Sequence, residues 1–210
     1  MNQANLFEMF GLTEDVASEG KFIPRRLKAV PDTIAELPEK TEGERIAKVK
    51  AVLKWLMVNF PTSFSYSGGK DSSAVLGLAM AAAAELAAAG EKIKPFAVLN
   101  ADTLVENPRV HAVTKGELAK LRAWISRHKL PGTVHVARPN LISQFAVSII
   151  GQGSLPSTPE TKRDCTVDWK SRPLSKLRKA VLGTNDVRSG QYVVSVTGVR
   201  YIRPSIEFTR

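Results

Sequence analysis

The stretch FSYSGGKDSSAVL, residues 64–76, decides the fold prediction. It starts as a short apolar and aromatic run, passes through two adjacent glycines, and continues into an Ala- and Leu-rich segment. This pattern predicts a strand over 62–66, a sharp turn, and a long helix over 71–89. A strand that leads into a helix through a tight turn is the first half of a β-α-β unit.

The same alternation continues toward the C-terminus. Further strands are predicted over 95–100, 133–137 and 191–197, and further helices over 107–129, 141–150 and 166–182. Pro173 is expected to break or kink the last helix. The alternation predicts the α/β class: a parallel twisted sheet with right-handed crossovers and helices on both faces. Ligands of such sheets bind at the carboxyl ends of the strands, where the strand order reverses.

The N-terminal part of the chain differs in composition from the rest. Residues 20–43 carry three prolines and many charges, which is typical of a loop-rich connector. Apolar residues spaced three and four apart then predict a helix over 44–59. We therefore expect a loop-rich and helical extension over 1–43 and one α/β domain over 44–210.

Composition excludes several classes of protein. The chain has 210 residues, of which 43% are hydrophobic and 24% charged, so a single folded domain is expected rather than disorder. No run of about 18 apolar residues occurs, so no membrane span is expected. The single cysteine, Cys165, excludes an internal disulfide framework and favours a reducing compartment, with the cytoplasm as the default.

The net charge of +10 is concentrated in the last quarter of the chain. Residues 162–210 contain 11 Lys and Arg against 4 Asp and Glu. Such a segment suits a polyanionic partner, either nucleotide phosphates or nucleic acid. A solvated surface explains the same charge equally well.

The Gly-Gly turn indicates a phosphate-binding loop. Two glycines let the backbone turn sharply and bring bare N–H groups to a ligand, and the N-terminus of the following helix attracts anions. Lys70 adds a positive charge. The alternative is that the glycines only form a turn and that Asp71 or Ser72 only caps the helix. The spacings G-x-x-x-x-G-K-[ST] and G-x-G-x-x-G are both absent. The candidate phosphate-binding residues are Ser67, Gly68, Gly69, Lys70, Asp71, Ser72 and Ser73.

Polar residues also follow the second predicted strand. Asp102 and Thr103 are expected beside the phosphate loop, where a carboxylate could orient a ribose hydroxyl, bind a metal ion or position a nucleophile. An ordinary Asx turn after the strand is the alternative. Glu106 and Asn107 suit either the site or the N-cap of the next helix.

Three further candidates lie in the basic C-terminal part. Cys165 is flanked by cations near a predicted helix N-terminus, which favours its thiolate, although a free cysteine is commonly an inert core residue. Arg172 and Arg200 are candidates for substrate phosphate or transition-state charge, because the guanidinium fork suits phosphate oxygens. Gly198, at the end of the last predicted strand, favours a site at Arg200. The three histidines show no metal spacing and receive no role.

These motifs, in this order, resemble a known family. SGGKDSS at 67–73 resembles the PP-loop of the ATP pyrophosphatases, the adenine nucleotide α-hydrolase group. The chain resembles the phosphoadenylylsulfate (PAPS) reductase family when this loop is taken together with LNADTLVENP at 99–108, Asp164-Cys165-Thr166, and Gly-Val-Arg at 198–200. The resemblance covers residues 45–200. The segment DTLVENP is most similar to the DndC-type sulfurtransferases of bacterial DNA phosphorothioation.

The resemblance implies a Rossmann-like fold, and an enzyme that cleaves ATP between the α and β phosphates and adenylates a substrate for sulfur transfer. It implies that the loop holds the ATP phosphates with Mg²⁺. A cysteine desulfurase and DNA-binding proteins are the implied partners. The implied catalytic residues are Lys70, Asp71, Asp102, Cys165 and Arg200; the implied nucleotide contacts are residues 67–73, Asp102, Thr103, Gly198 and Arg200.

The chain departs from the family pattern in its cysteines and its C-terminal sequence. An iron–sulfur cluster requires about four cysteines, so a 4Fe–4S cluster with Cys165 as a ligand is expected only if further ligands come from outside residues 1–210. Tyr-Ile-Arg-Pro follows Arg200 where the DndC type continues with Glu-Ser, and the sequence ends at Arg210. We expect a fragment, a truncation or a divergent relative. The alternative functions are a PAPS reductase and a non-catalytic nucleotide- or nucleic-acid-binding subunit.

Overall fold

The computed structural model describes residues 29–154, 166–183 and 192–199. Its helices are α1 (Asp32–Ala35), α2 (Glu42–Asn59), α3 (Lys70–Ala88), α4 (Pro108–Arg127) and α5 (Arg172–Leu182). Its strands are β1 (Thr62–Ser65), β2 (Phe96–Ala101), β3 (Gly132–Ala137) and β4 (Val194–Thr197). The predicted extension over 1–43 lies mostly outside the described residues, which include only α1 and the start of α2.

The described strands form one parallel sheet in the order β3-β2-β1-β4. The chain moves outward from β1 through β2 to β3, then returns to place β4 on the other side of β1. Ser65, at the end of β1, pairs with Leu99 of β2 and with Thr197 of β4. The strand order therefore reverses between β1 and β4, and the carboxyl ends of these two strands form the crevice where α/β proteins bind ligands.

Helices cover both faces of the sheet, as predicted. Phe96 and Val98 belong to a buried cluster with residues of α2, α3 and α4, whereas Ala97 and Leu99 belong to a second cluster with residues of α5. Successive residues of a strand point to opposite faces, so these two clusters lie on opposite sides of β2. The α/β class with a doubly covered parallel sheet is confirmed.

Helix α3 is the most apolar helix in the described part of the chain that is long enough to cross a membrane. Its mean hydropathy reaches 1.3 over 18 residues, so its length and composition alone would allow it to span a membrane. Its buried face includes Leu76, Ala79 and Met80, which belong to the core cluster on one face of the sheet. This packing favours an interior helix of a folded domain.

Two helix predictions differ from the structure in detail. The helix predicted over 141–150 is instead a 3₁₀ turn, Leu141–Ser143, followed by a π-helical turn, Ala146–Gly151. Leu141 and Ile150 are exposed there, so no continuous apolar face is buried to support an α-helix. The helix predicted over 166–182 has a π-helical first part, Val167–Ser171, and Pro173 lies in the first turn of α5, where its missing N–H is tolerated.

A capping box starts α2. The backbone N–H of Glu44 donates to Thr41 Oγ1 at 3.2 Å, and the backbone N–H of Thr41 donates to Glu44 Oε2 at 3.0 Å. The bond from the Thr41 backbone N–H holds the pKa of Glu44 below its usual value. Both bonds satisfy amides that a helix start leaves without acceptors.

Replacing Thr41 by Ala is expected to lower the free energy of unfolding by about 1 kcal/mol, because the cap loses its acceptor oxygen. Urea denaturation followed by circular dichroism measures this loss. Thr41→Ser keeps the hydroxyl and is the matched control. An equal loss in both variants would contradict a role for the hydroxyl.

Candidate functional site

The Gly-Gly turn after β1 requires glycine at its first position. Gly68 has φ +75°, a left-handed conformation that side chains rarely adopt. A Cβ at this position would also lie 2.4 Å from Thr114 Oγ1, which α4 presses against the loop. Backbone geometry and packing therefore both disfavour a side chain at residue 68.

Serine hydroxyls fix the loop from within. Ser72 Oγ donates to Gly69 O at 2.9 Å, so the proton of the 3.0 Å contact between Ser67 Oγ and Ser72 Oγ comes from Ser67. Ser72 Oγ also accepts the Ser67 N–H at 3.3 Å, and Ser67 Oγ accepts the Gly69 N–H at 3.4 Å. These two amide bonds are longer than the usual 2.9–3.0 Å or so. The hydroxyls of Ser67 and Ser72 therefore shape the turn, and they bind the Ser67 and Gly69 amides only weakly.

Helix α3 begins at this loop without a side-chain cap. Gly69 is its N-cap residue, and no side-chain hydrogen bond caps the helix there. The first-turn amides of any α-helix have no acceptor within the helix, and its N-terminus carries a partial positive charge. Lys70 is exposed at the first helical position. This arrangement suits a bound anion.

The end of β4 lies directly against the start of α3. A Cβ on Gly198 would lie 2.6 Å from Asp71 O and 2.9 Å from Ser72 Cα. Both contacts are with backbone, which cannot move aside as a flexible side chain would. Gly198 thus lets β4 approach the phosphate loop at the point where the strand order reverses.

A cavity of about 200 Å³ lies at this switch point. It is lined by Ser65, Tyr66, Ser67, Ser72, Leu99, Ala101, Glu106, Lys170, Leu174, Thr197 and Gly198. Ligand sites usually measure roughly 300–1,000 Å³, so a nucleotide bound here would extend beyond the cavity. The lining combines backbone from three strand ends with one carboxylate, Glu106, and one cation, Lys170.

The structure separates the roles of Glu106 and Asn107. Asn107 is the N-cap of α4, where its Oδ1 accepts the Arg109 N–H at 2.9 Å. Glu106 is half-buried and lines the cavity. The sequence allowed either role for both residues; the capping role belongs to Asn107, and Glu106 remains available to the cavity.

Asp102 is held by neighbouring groups. Its side chain is 4% exposed. Its Oδ1 accepts the Leu104 N–H at 3.1 Å, which is the Asx turn that the sequence offered as the alternative, and its Oδ2 accepts from Arg138 Nε at 3.0 Å. His111 Nδ1 lies 3.8 Å from Oδ1. Leu104 has φ +65°, so the Asx turn holds a strained backbone.

The other site residues predicted from the sequence are not all brought together at the cavity. Thr103 is buried, and Ser73 donates its hydroxyl to Gly69 O at 2.9 Å. Arg172 is exposed, forms an ion pair with Asp168 and is not part of the cavity lining, where Lys170 lies instead. Cys165 and Arg200 lie outside the described residues, so their predicted roles stay predictions.

Sequence reasoning missed three residues that support the site. Asn100 Nδ2 donates to Tyr66 O at 2.8 Å and ties the end of β2 to the end of β1. An amide inside the buried run FAVLNA was a signal for this, because buried polar groups require partners. Thr114 and Arg138 gave no signal, since their roles depend on which elements pack together.

Metal ligands are sparse in the described part of the chain, where no group of three or more His, Cys, Asp or Glu residues comes together. This arrangement fits Mg²⁺ bound through phosphate oxygens, which needs few protein ligands. It does not fit an iron–sulfur cluster held by this chain alone, because the sequence supplies a single cysteine.

A second cavity, of about 370 Å³, lies between α3 and α4. It shares Tyr66 with the first cavity and is otherwise lined by Ser73, Leu76, Gly77, Met80, Glu117, Lys120, Leu121 and Trp124. The side chain of Glu117 bonds to Lys120 and raises the pKa of that lysine. This cavity adjoins the carboxyl end of β1 through Tyr66 and the phosphate loop through Ser73.

A comparison with models of known protein families finds no match to this chain. A comparison with characterised proteins finds no significant match either. Membership of the PP-loop and PAPS reductase families therefore stays a prediction that depends on the motifs quoted above.

Proposed function

We propose that this protein is an ATP pyrophosphatase that adenylates an acceptor for sulfur transfer, as the sulfurtransferase of a DNA phosphorothioate modification system. The observation that carries the proposal is the start of α3: a helix N-terminus without a side-chain cap, behind a turn that favours glycine, at the switch point of a parallel sheet.

The loop would hold the β and γ phosphates of ATP. Backbone amides and Lys70 supply positive charge there, and Lys170 in the cavity lining supplies more. An acceptor oxygen would attack the α phosphorus in line, forming a P–O bond as the bond to pyrophosphate breaks. Catalysis would come mainly from positioning and charge neutralisation.

Carboxylates of this chain would help to hold Mg²⁺, which when bound would reduce the charge of the phosphates. Asp71, in the first turn of α3, and Glu106, in the cavity lining, are carboxylates that the described part of the chain places at that region. Both fit indirect contact through metal-bound water, because Mg²⁺ usually keeps several waters.

The sulfur chemistry rests on the resemblance and on the charge. AMP would leave when a sulfur carrier attacks the adenylated acceptor, and a cysteine desulfurase would supply that sulfur. The net charge of +10 suits DNA as the acceptor. Cys165 and Arg200 are proposed to handle sulfur and transition-state charge, respectively.

Replacing Lys70 by Ala is expected to lower pyrophosphate release from ATP by about 100-fold or more, because the loop loses its only side-chain cation. A coupled pyrophosphate assay with Mg²⁺ measures the loss. Lys92→Ala removes an exposed lysine ahead of β2, at the amino ends of the strands, and is the matched control. Full activity of the Lys70→Ala variant would overturn the phosphate-site assignment.

Three measurements separate the alternatives: pyrophosphate release, sulfite production and ATP binding. Pyrophosphate release stimulated by DNA supports phosphorothioation. Sulfite production from phosphoadenylylsulfate would favour a reductase, and ATP binding without pyrophosphate release would favour a non-catalytic binding subunit.

A further inference from the structure

A buried carboxylate lies beside an arginine and a histidine at the carboxyl ends of β2 and β3. Asp102 is 4% exposed, whereas the side chains of Arg138 and His111 are 65% and 47% exposed. A buried carboxylate is costly unless it is paired and hydrogen-bonded. Arg138 and the Leu104 amide satisfy Asp102, and Asp102 in turn fixes the direction of the exposed guanidinium.

The bond between Arg138 and Asp102 uses Nε alone. Arginine commonly meets a carboxylate through two parallel N–H groups. Within the described part of the chain, this guanidinium bonds to Asp102 alone and the side chain is 65% exposed, so its two terminal nitrogens keep four N–H donors for a ligand. A guanidinium oriented from behind in this way is suited to a tetrahedral oxyanion.

Helix α4 places this cluster next to the phosphate loop. Thr114 of α4 contacts Gly68, and His111 lies three residues earlier, on the same face of the helix, near Asp102. Three residues of an α-helix rise about 4.5 Å. The cluster and the loop are therefore about one helical turn apart along α4.

We infer that Arg138 and His111, with Asp102 as the positioning residue, form a second anion subsite that binds a phosphoryl or sulfuryl group one turn from the loop. The proposed function enters only in naming the carrier of that group, which would be the acceptor rather than the triphosphate. Anion binding itself does not depend on the loop.

Amide chemical shifts during titration with inorganic phosphate test the inference, because they report the two regions separately. In the wild-type chain, amides of residues 102–111 are expected to shift. Arg138→Gln should weaken that response by about tenfold or more, since a charge-assisted bond is lost. Arg122→Gln, on an exposed arginine that bonds to Val134 O, should leave it unchanged.

Lys70→Ala separates this inference from the proposed function. It should weaken the response of residues 67–73 and leave that of residues 102–111 intact. His111→Ala gives a second test should Arg138→Gln fail to fold, with an expected loss of about fivefold. The inference is overturned if residues 102–111 do not respond, or respond equally in the wild type and the Arg138→Gln variant.

The two sources of a phosphoryl group are distinguished by a second probe, a thymidine dinucleotide with a single phosphodiester. A stronger response of residues 102–111 to the dinucleotide than to inorganic phosphate identifies a nucleic-acid backbone. The reverse order identifies a small phosphorylated or sulfated acceptor. No response to either probe overturns the inference.

Discussion

Replacing Gly68 by Ala is expected to weaken ATP binding by about 100-fold, because a shifted loop loses hydrogen bonds to a charged phosphate that are together worth about 3 kcal/mol. The new methyl group meets Thr114 Oγ1 at 2.4 Å, and the residue is held at φ +75°. The loop cannot keep its conformation under both constraints. Isothermal titration calorimetry with ATP and Mg²⁺ measures the change.

Two controls separate the clash from the backbone strain. Gly90 has φ +73° and nothing within 4 Å of an added Cβ, so Gly90→Ala introduces the strain alone, about 1 kcal/mol. It should lower stability slightly and leave ATP binding unchanged. Adding Thr114→Ala to the Gly68→Ala variant removes the clashing oxygen and should restore part of the affinity. Wild-type affinity in the Gly68→Ala variant would refute the requirement for glycine.

The second large effect is expected at Gly198. Alanine there would place a Cβ 2.6 Å from Asp71 O, so β4 must move away from α3 and the switch-point cavity must change shape. Overpacking of this kind costs about 1–3 kcal/mol of stability. We expect a lower melting temperature together with loss of detectable ATP binding by calorimetry at a temperature where the variant is folded.

Gly132→Ala is the matched comparison for that variant. Its Cβ would lie 2.2 Å from the Phe96 ring, at the amino end of the sheet and away from the phosphate loop. It should also lower the melting temperature, but it should keep its affinity for ATP. Equal loss of affinity in both variants would show that general destabilisation, rather than the approach of β4 to α3, explains the result.

The elements of the fold follow from local sequence patterns. The mostly apolar run over 95–100 was predicted as a buried strand and forms β2 over Phe96–Ala101, and the Gly-Gly turn lies between β1 and α3 as predicted. The order of the strands could not be predicted in this way, because the sequence pattern does not show on which side of β1 the last strand pairs. The position of the cavity between β1 and β4 required the structure.

Site residues that act through backbone conformation could be predicted from the sequence. Residues whose role depends on which elements pack together were harder to predict. Gly68 and Gly198 were both chosen from the sequence, and both lie where an added Cβ would collide. Asp102 was chosen too, but its hydrogen bond to Arg138 joins residues 36 positions apart, which no local pattern reveals. Glu106 and Asn107 divided their roles only once the start of α4 was known.

The amide of Asn100 has an implication for how this loop can evolve. It donates to the Tyr66 carbonyl from inside the sheet and is 6% exposed. Aspartate has nearly the same shape but, when ionised, only accepts hydrogen bonds, so it would repel that carbonyl. Substitutions that change the conformation of the loop can therefore occur at residue 100, behind the loop. A survey of variants that is limited to the cavity lining would miss them.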